Sequence, residues 1–118
     1  MELTKERRST VRMKQVLREL YRYTEVLREL NAEMPMQMAS VFLMIAMKPG
    51  VHQRDLPDLV GLSQSSVSRN VHALAAVNRH GRPGLGLVEQ RAGSPGTKTP
   101  ELHLSTAGKA LVGRLMPT

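Results

Sequence analysis

Residues 53–72 read QRDLPDLVGLSQSSVSRNVH, and this stretch decides the fold. Leu56, Val60, Leu62, Val67 and Val71 recur at spacings that bury one face of each of two short helices. Gly61 falls where the chain must turn sharply, and a residue without Cβ permits the positive φ such a turn needs. Ser63 has the side chain to cap the second helix by accepting a backbone N–H. This is the pattern of a helix-turn-helix, which sets its second helix into a DNA major groove. That helix, expected over residues 63–77, turns outward Gln64, Ser65, Ser66, Ser68, Arg69 and His72. With Ser63 at its head, these are the candidate DNA-binding residues. A purely structural hairpin would more often expose Glu–Lys pairs for solubility.

Downstream, Asn78 to Gly86 reads NRHGRPGLG, a Gly/Pro loop carrying Arg79, His80 and Arg82. Leu87 to Arg91 and Glu101 to Leu104 are expected to form two short strands around a turn-rich tip, AGSPGTKTP, over residues 92–100. A β-hairpin directly after a recognition helix is a wing, here spanning residues 87–104. Its tip offers Lys98 and the hydroxyls of Thr97 and Thr99 to phosphates or to the minor groove. Arg79, Arg82 and Arg91 are weaker candidates of the same kind. The competing reading is a solvated loop. Ser105 or Thr106 caps a last helix over Ala107 to Leu115, with Leu111 and Leu115 facing inward.

Upstream, Pro35 suits the first turn of a helix that runs to Met47 and is stopped by Lys48-Pro49-Gly50. Apolar almost all round through Val41, Phe42, Leu43, Met44 and Ile45, it should lie in the middle of the core. Met34, Met36 and Met38 read as flexible packing at a helix start, with no Cys or His beside them in sequence to make a soft-metal site. Before it lies one long amphipathic helix, expected from Lys5 to Glu33. Met13, Val16, Leu20, Tyr23, Leu27 and Leu30 alternate three and four apart, a heptad seam. The seam can pack on its own domain or join two copies. The helix exceeds what so small a core can cover along its length, which favours a homodimer. The expected division is residues 1–34 for dimerisation and 35–118 for DNA binding.

Composition narrows the classes. The chain has 118 residues and a net charge of +7, which favours a polyanionic partner. It has no cysteine, excluding disulfides and thiolate metal sites. The most apolar run, Met36 to Met47, is interrupted by Gln37 and Ser40, whereas a membrane span needs roughly 20 apolar residues. The N-terminus is charged where a secretory signal would be apolar, so the expected address is the cytoplasm of a bacterium or a phage host. His52, His72, His80 and His103 hold no close metal-binding spacing, and no phosphate loop or nucleophile elbow occurs. No enzyme, cofactor, metal or catalytic residue is expected.

From Met34 to Leu115 the sequence resembles the winged helix-turn-helix of the multiple-antibiotic-resistance regulator (MarR) family. The residues that carry the resemblance are the apolar helix ending in KPG, then QRDL, VGLSQSSVSRNV, GLVEQR and LSTAGKALVGRL, in that order. The resemblance implies a mainly α fold with a small β-hairpin wing and a long N-terminal dimerisation helix. It implies a dimer with recognition helices in successive major grooves, reading DNA through Gln64, Ser65, Ser66, Ser68 and Arg69, with wing contacts within residues 92–100. Four features depart from the family. Gly93-Ser94-Pro95-Gly96 stands where an Asp-Arg pair is usual, Asn78 to Gly84 looks inserted, and Pro57 should delay its helix to near Asp55. The chain stops soon after Leu115, so dimerisation should rest on the N-terminal helix. Three classes follow: a dimeric repressor on double-stranded DNA, a DNA-binding protein of phage or plasmid replication, partition or packaging, and a winged-helix protein-interaction module. The polar face around Gln64 and Arg69 argues against the third. A small-molecule effector is left open.

Overall fold

The computed structural model describes residues 2–77, 81–93 and 99–117. The chain divides into two compact units, Met1–Glu33 and Met34–Thr118.

The first unit is one helix, α1, Glu2–Leu30. From Thr4 to Tyr21 every residue is exposed, the apolar ones included, while Tyr23 and Leu27 are half-buried and Val26 is buried. The helix begins earlier than the sequence suggests and ends three residues sooner. Its end is set locally. Arg28 donates from Nε to the Ala32 carbonyl at 3.0 Å, and Asn31 Oδ1 accepts from the Glu33 N–H at 3.2 Å, so side chains take over backbone groups that another turn would have used.

The second unit opens with α2, Met36–Met47, behind Pro35 in an extended conformation. Val41, Phe42 and Ile45 are at most 1% exposed, and α2 packs against the helix-turn-helix and the sheet. Its burial is one-sided, contrary to expectation. Met36, Leu43 and Met47 lie seven and four residues apart on the opposite face and are exposed. After the Lys48-Pro49-Gly50 stop comes β1, Val51–His52, a strand the sequence reading did not contain.

A 3₁₀ turn over Gln53–Asp55 leads into α3, Leu56–Val60, with Pro57 in its first turn, where the missing N–H costs nothing. Gly61 ends α3 at φ 69°, donating to the Pro57 carbonyl at 2.9 Å, the left-handed cap its position called for. Ser63 then caps α4, Gln64–Leu74, its hydroxyl accepting from the Ser66 N–H at 3.1 Å. The apolar side of α4, Val67, Val71 and Leu74, is at most 1% exposed. Burying each such side chain contributes roughly 1.5–3 kcal/mol, and together they fix the direction in which the helix points its other side.

α4 stops at Leu74, three residues short of the expected end. The returning chain supplies the reason. Gly84, Leu85, Gly86 and Leu87 donate to the carbonyls of Ala76, Ala73, Ala75 and Leu74, at 2.8–3.1 Å, acceptors that a longer helix would have kept for itself. The approach is close enough to require glycine, since a Cβ at Gly84 would collide with the Ala75 carbonyl oxygen.

Strands β2, Val88–Arg91, and β3, Glu101–Leu104, pair antiparallel as expected, with Glu89 opposite His103 and Gln90 opposite Leu102. β1 adds to the other edge of β3, Val51 opposite Leu102, so the wing is a three-stranded sheet in the order β1-β3-β2 and not a lone hairpin. The last helix, α5, Thr106–Leu115, is capped by Ser105, whose hydroxyl accepts from the Gly108 N–H and donates to the Gly86 carbonyl. Leu111 is buried and Leu115 half-buried. Among the described residues, no buried side-chain nitrogen or oxygen lacks a hydrogen-bond partner, and no helix is long and apolar enough to cross a membrane.

Candidate nucleic-acid interface

α4 is an apolar-anchored helix with a polar outer side, and the hydrogen bonds on that side arrange it. Ser63 sits at its head. Besides capping the helix, its hydroxyl donates to Ser66 Oγ at 3.0 Å and lies 3.2 Å from Ser65 Oγ. Ser66 Oγ in turn accepts from Arg69 Nη2 at 3.1 Å. The cap serine, two further serines and the arginine thus form one connected chain along the exposed ridge. Arg69, which is exposed, uses one of its five N–H donors in this tether.

The expected reading residues separate into two groups. Gln64, Ser65 and Arg69 are exposed. Ser66, Ser68 and His72 are half-buried and engaged within the helix. His72 Nδ1 lies 2.7 Å from the Ser68 carbonyl oxygen, which leaves the far ring nitrogen as the group available to a partner. Asn70 is occupied likewise, donating to the Ser66 carbonyl at 2.9 Å. The exposed trio suits base edges chemically: a guanidinium fork matches guanine O6 and N7, and a carboxamide matches adenine N6 and N7.

Beside α4 lies a cleft of about 420 Å³, lined among others by Gln53, Arg54, Gln64, Ser68 and Thr99. Sequence reasoning did not single out Gln53 and Arg54, which open the helix-turn-helix stretch but carry no periodic signal. The two-residue strand β1 brings them here. His52 Nδ1 lies 3.2 Å from Thr99 Oγ1 and ties the base of the wing to the start of the helix-turn-helix, 47 residues away in sequence. Thr99 is therefore part of the cleft wall, half-buried, and not a free tip hydroxyl.

On the wing, Arg91 is exposed but committed. Its guanidinium donates from Nε and Nη2 to Glu89 Oε1, at 3.0 and 2.6 Å, an exposed pair that offsets part of its charge and uses two of its five N–H donors. Arg82 is exposed in the loop after α4. Arg79, His80, Thr97 and Lys98 lie outside the described residues. His103 is half-buried on β3, with Nε2 3.2 Å from Glu101 Oε1. No cluster of His, Asp or Glu able to hold a metal occurs among the described residues.

The seam residues of α1 are placed unevenly. Met13, Val16 and Leu20 are 55–57% exposed, Leu30 is 36% exposed, and Tyr23 and Leu27 are half-buried. Leu17 and Tyr21, which the seam did not include, are exposed beside them.

No family model matches the chain, and no curated protein does. Solved structures match it. A transcriptional regulator from Thermotoga maritima superposes with a TM-score of 0.67 at 16% identity, covering 93% of this chain and 70% of that one. A MarR-like transcriptional regulator from the same organism gives 0.62 at 19% identity, covering 87% and 69%. A MarR-family transcriptional regulator from Silicibacter pomeroyi gives 0.55 at 22% identity, covering 86% and 64%. The fold is the MarR-like winged helix that the motif order suggested, mostly helical with a small antiparallel sheet.

Proposed function

We propose that this chain is a sequence-specific regulator of transcription that binds double-stranded DNA as a homodimer, inserting α4 into the major groove. The observation that carries the reading is the two-sidedness of α4. Val67, Val71 and Leu74 anchor it, and the opposite side presents Gln64 together with Ser65 and Arg69, the last two joined to Ser63 and Ser66 by hydrogen bonds. A side chain held in place before binding loses less freedom on binding, which suits a reading residue. The net charge of +7 supports a polyanionic partner, and the solved structures of like fold are those of transcriptional regulators.

In this reading the apolar stripe of α1 joins two copies, and the pair represses by occupying an inverted repeat. Two recognition helices related by a two-fold axis demand half-sites related by the same axis. Arg54, in the cleft beside α4, and the wing contact phosphates, which fix position without reading sequence. Selection of bound duplexes from a random pool tests the proposal. The expected outcome is enrichment of an inverted repeat. A pool that stays random while the protein still binds it would mean that charge alone attracts DNA.

A further inference from the structure

α1 combines an exposed apolar stripe with two opposite charges that cannot reach each other within one helix. Met13, Val16, Leu17 and Leu20 are 55–57% exposed and share one side of the helix. Arg12 and Glu19 flank that stripe on the same edge, seven residues apart. That is about 10 Å along the axis, too far for the two to pair within one helix. Neither forms an ion pair among the described residues. Toward the N-terminus the stripe continues through Ser9, a small residue.

We propose that a second copy of this chain covers the stripe with its α1 antiparallel, the two-fold axis passing between Met13 and Val16. This rests on the dimer reading given above and adds to it a direction and a register. Met13 of each copy then meets the partner's Val16, and Leu20 falls on the partner's Ser9, whose small side chain leaves it room. Leu17, just outside the heptad seam, comes nearest the partner's Thr10 on the other edge of the stripe, with the partner's Leu17 about 7.5 Å further along the axis. Arg12 stands beside the partner's Glu19 at both ends of the contact, at the flanking positions that set orientation in paired helices. A parallel arrangement does the opposite. It brings Arg7, Arg8, Arg12, Lys14 and Arg18 level with their own copies and sets Arg12 against Leu17. Like charges facing each other weaken pairing, and the basic first half of α1 makes that weakening cumulative.

Charge reversal measured by sedimentation equilibrium tests the register. Arg12→Glu and Glu19→Arg should each raise the dimer dissociation constant roughly 3–10-fold, and the double variant should return it close to that of the wild type. Positions 12 and 19 are too distant within one helix for such rescue to arise inside a chain. Because the protein has no cysteine, single cysteines report geometry cleanly. An oxidised mixture of Ser9→Cys and Leu20→Cys chains should give a mixed disulfide dimer, and Leu20→Cys alone should give none, since the two copies of residue 20 would be far beyond disulfide reach. A dimeric protein whose Leu20→Cys variant cross-links with itself, or whose two charge reversals simply add, overturns the antiparallel register and leaves the dimer standing. A wild-type chain that sediments as a monomer at tens of micromolar overturns both.

Discussion

α1 and α4 are both amphipathic helices, and they use their two faces in opposite ways. In α4 the apolar side is closed, with Val67, Val71 and Leu74 at most 1% exposed, and what faces water is serine, glutamine and arginine. In α1 what faces water includes Met13, Val16, Leu17 and Leu20, each more than half exposed. A polar outer face on an anchored helix is complete as it stands and can offer hydrogen bonds to a ligand. An apolar outer face is incomplete, because covering it with another apolar surface is favourable by roughly 25 cal/mol per Å². In the function proposed above, α1 uses its open apolar face for another protein surface and α4 uses its polar face for the polar edges of bases. The same periodicity serves both, and only the chemistry of the solvent-facing residues tells them apart.

The strongest way to break this contrast is to damage the closed side of α4. Leu74→Ala removes a fully buried side chain and should cost about 2–5 kcal/mol of stability, lowering the thermal midpoint by calorimetry and abolishing DNA binding with the fold. Leu20→Glu, on the open side of α1, should leave helical content and thermal midpoint of the winged unit nearly unchanged. It should nonetheless convert dimer to monomer, because the new carboxylate would have to be desolvated at the contact. DNA affinity should then fall sharply, since two half-sites no longer bind as one unit. Loss of folding in this variant would place α1 in a core and erase the distinction.

Smaller changes sharpen the account of α4. Arg69→Ala should cost about 1–3 kcal/mol on the selected sequence and much less on random DNA. Equal losses on both would reassign Arg69 to a phosphate. Ser63→Ala should cost about 1 kcal/mol of stability through the lost cap. It should also loosen the hydrogen-bonded chain through Ser66 to Arg69, so part of its effect should appear as reduced discrimination between cognate and random DNA.

The sequence was legible where structure is set within a few residues. Gly61 and Ser63 mark the turn and the cap of α4 by their own backbone and hydroxyl chemistry, and Ser105 does the same for α5. Strands β2 and β3 stood out from the turn-rich tip between them. What escaped was set by distant partners. α4 ends at Leu74 because N–H groups from residues 84–87 take its carbonyls, and nothing near Leu74 announces this. β1 is two residues long, too short for any period, and exists because β3 offers an edge. Arg54 and Gln53 reach the cleft through that strand, and the pairing of Arg91 with Glu89 is a matter of side-chain geometry that no sequence pattern marks. The open face of α2 escaped because an all-apolar helix hides which side the fold will cover. Which side of α4 turns outward was therefore readable, while its hydrogen bonding and its neighbours were not.

Hydroxyl-radical footprinting on the selected DNA tests the central claim most directly, that two copies of α4 read DNA as one symmetric unit. The account predicts two protected patches on one face of the duplex, with centres about 34 Å apart. Both should disappear together in Leu20→Glu at concentrations where the wild type protects fully. A single patch of one half-site, protected equally well by wild type and Leu20→Glu, would contradict it.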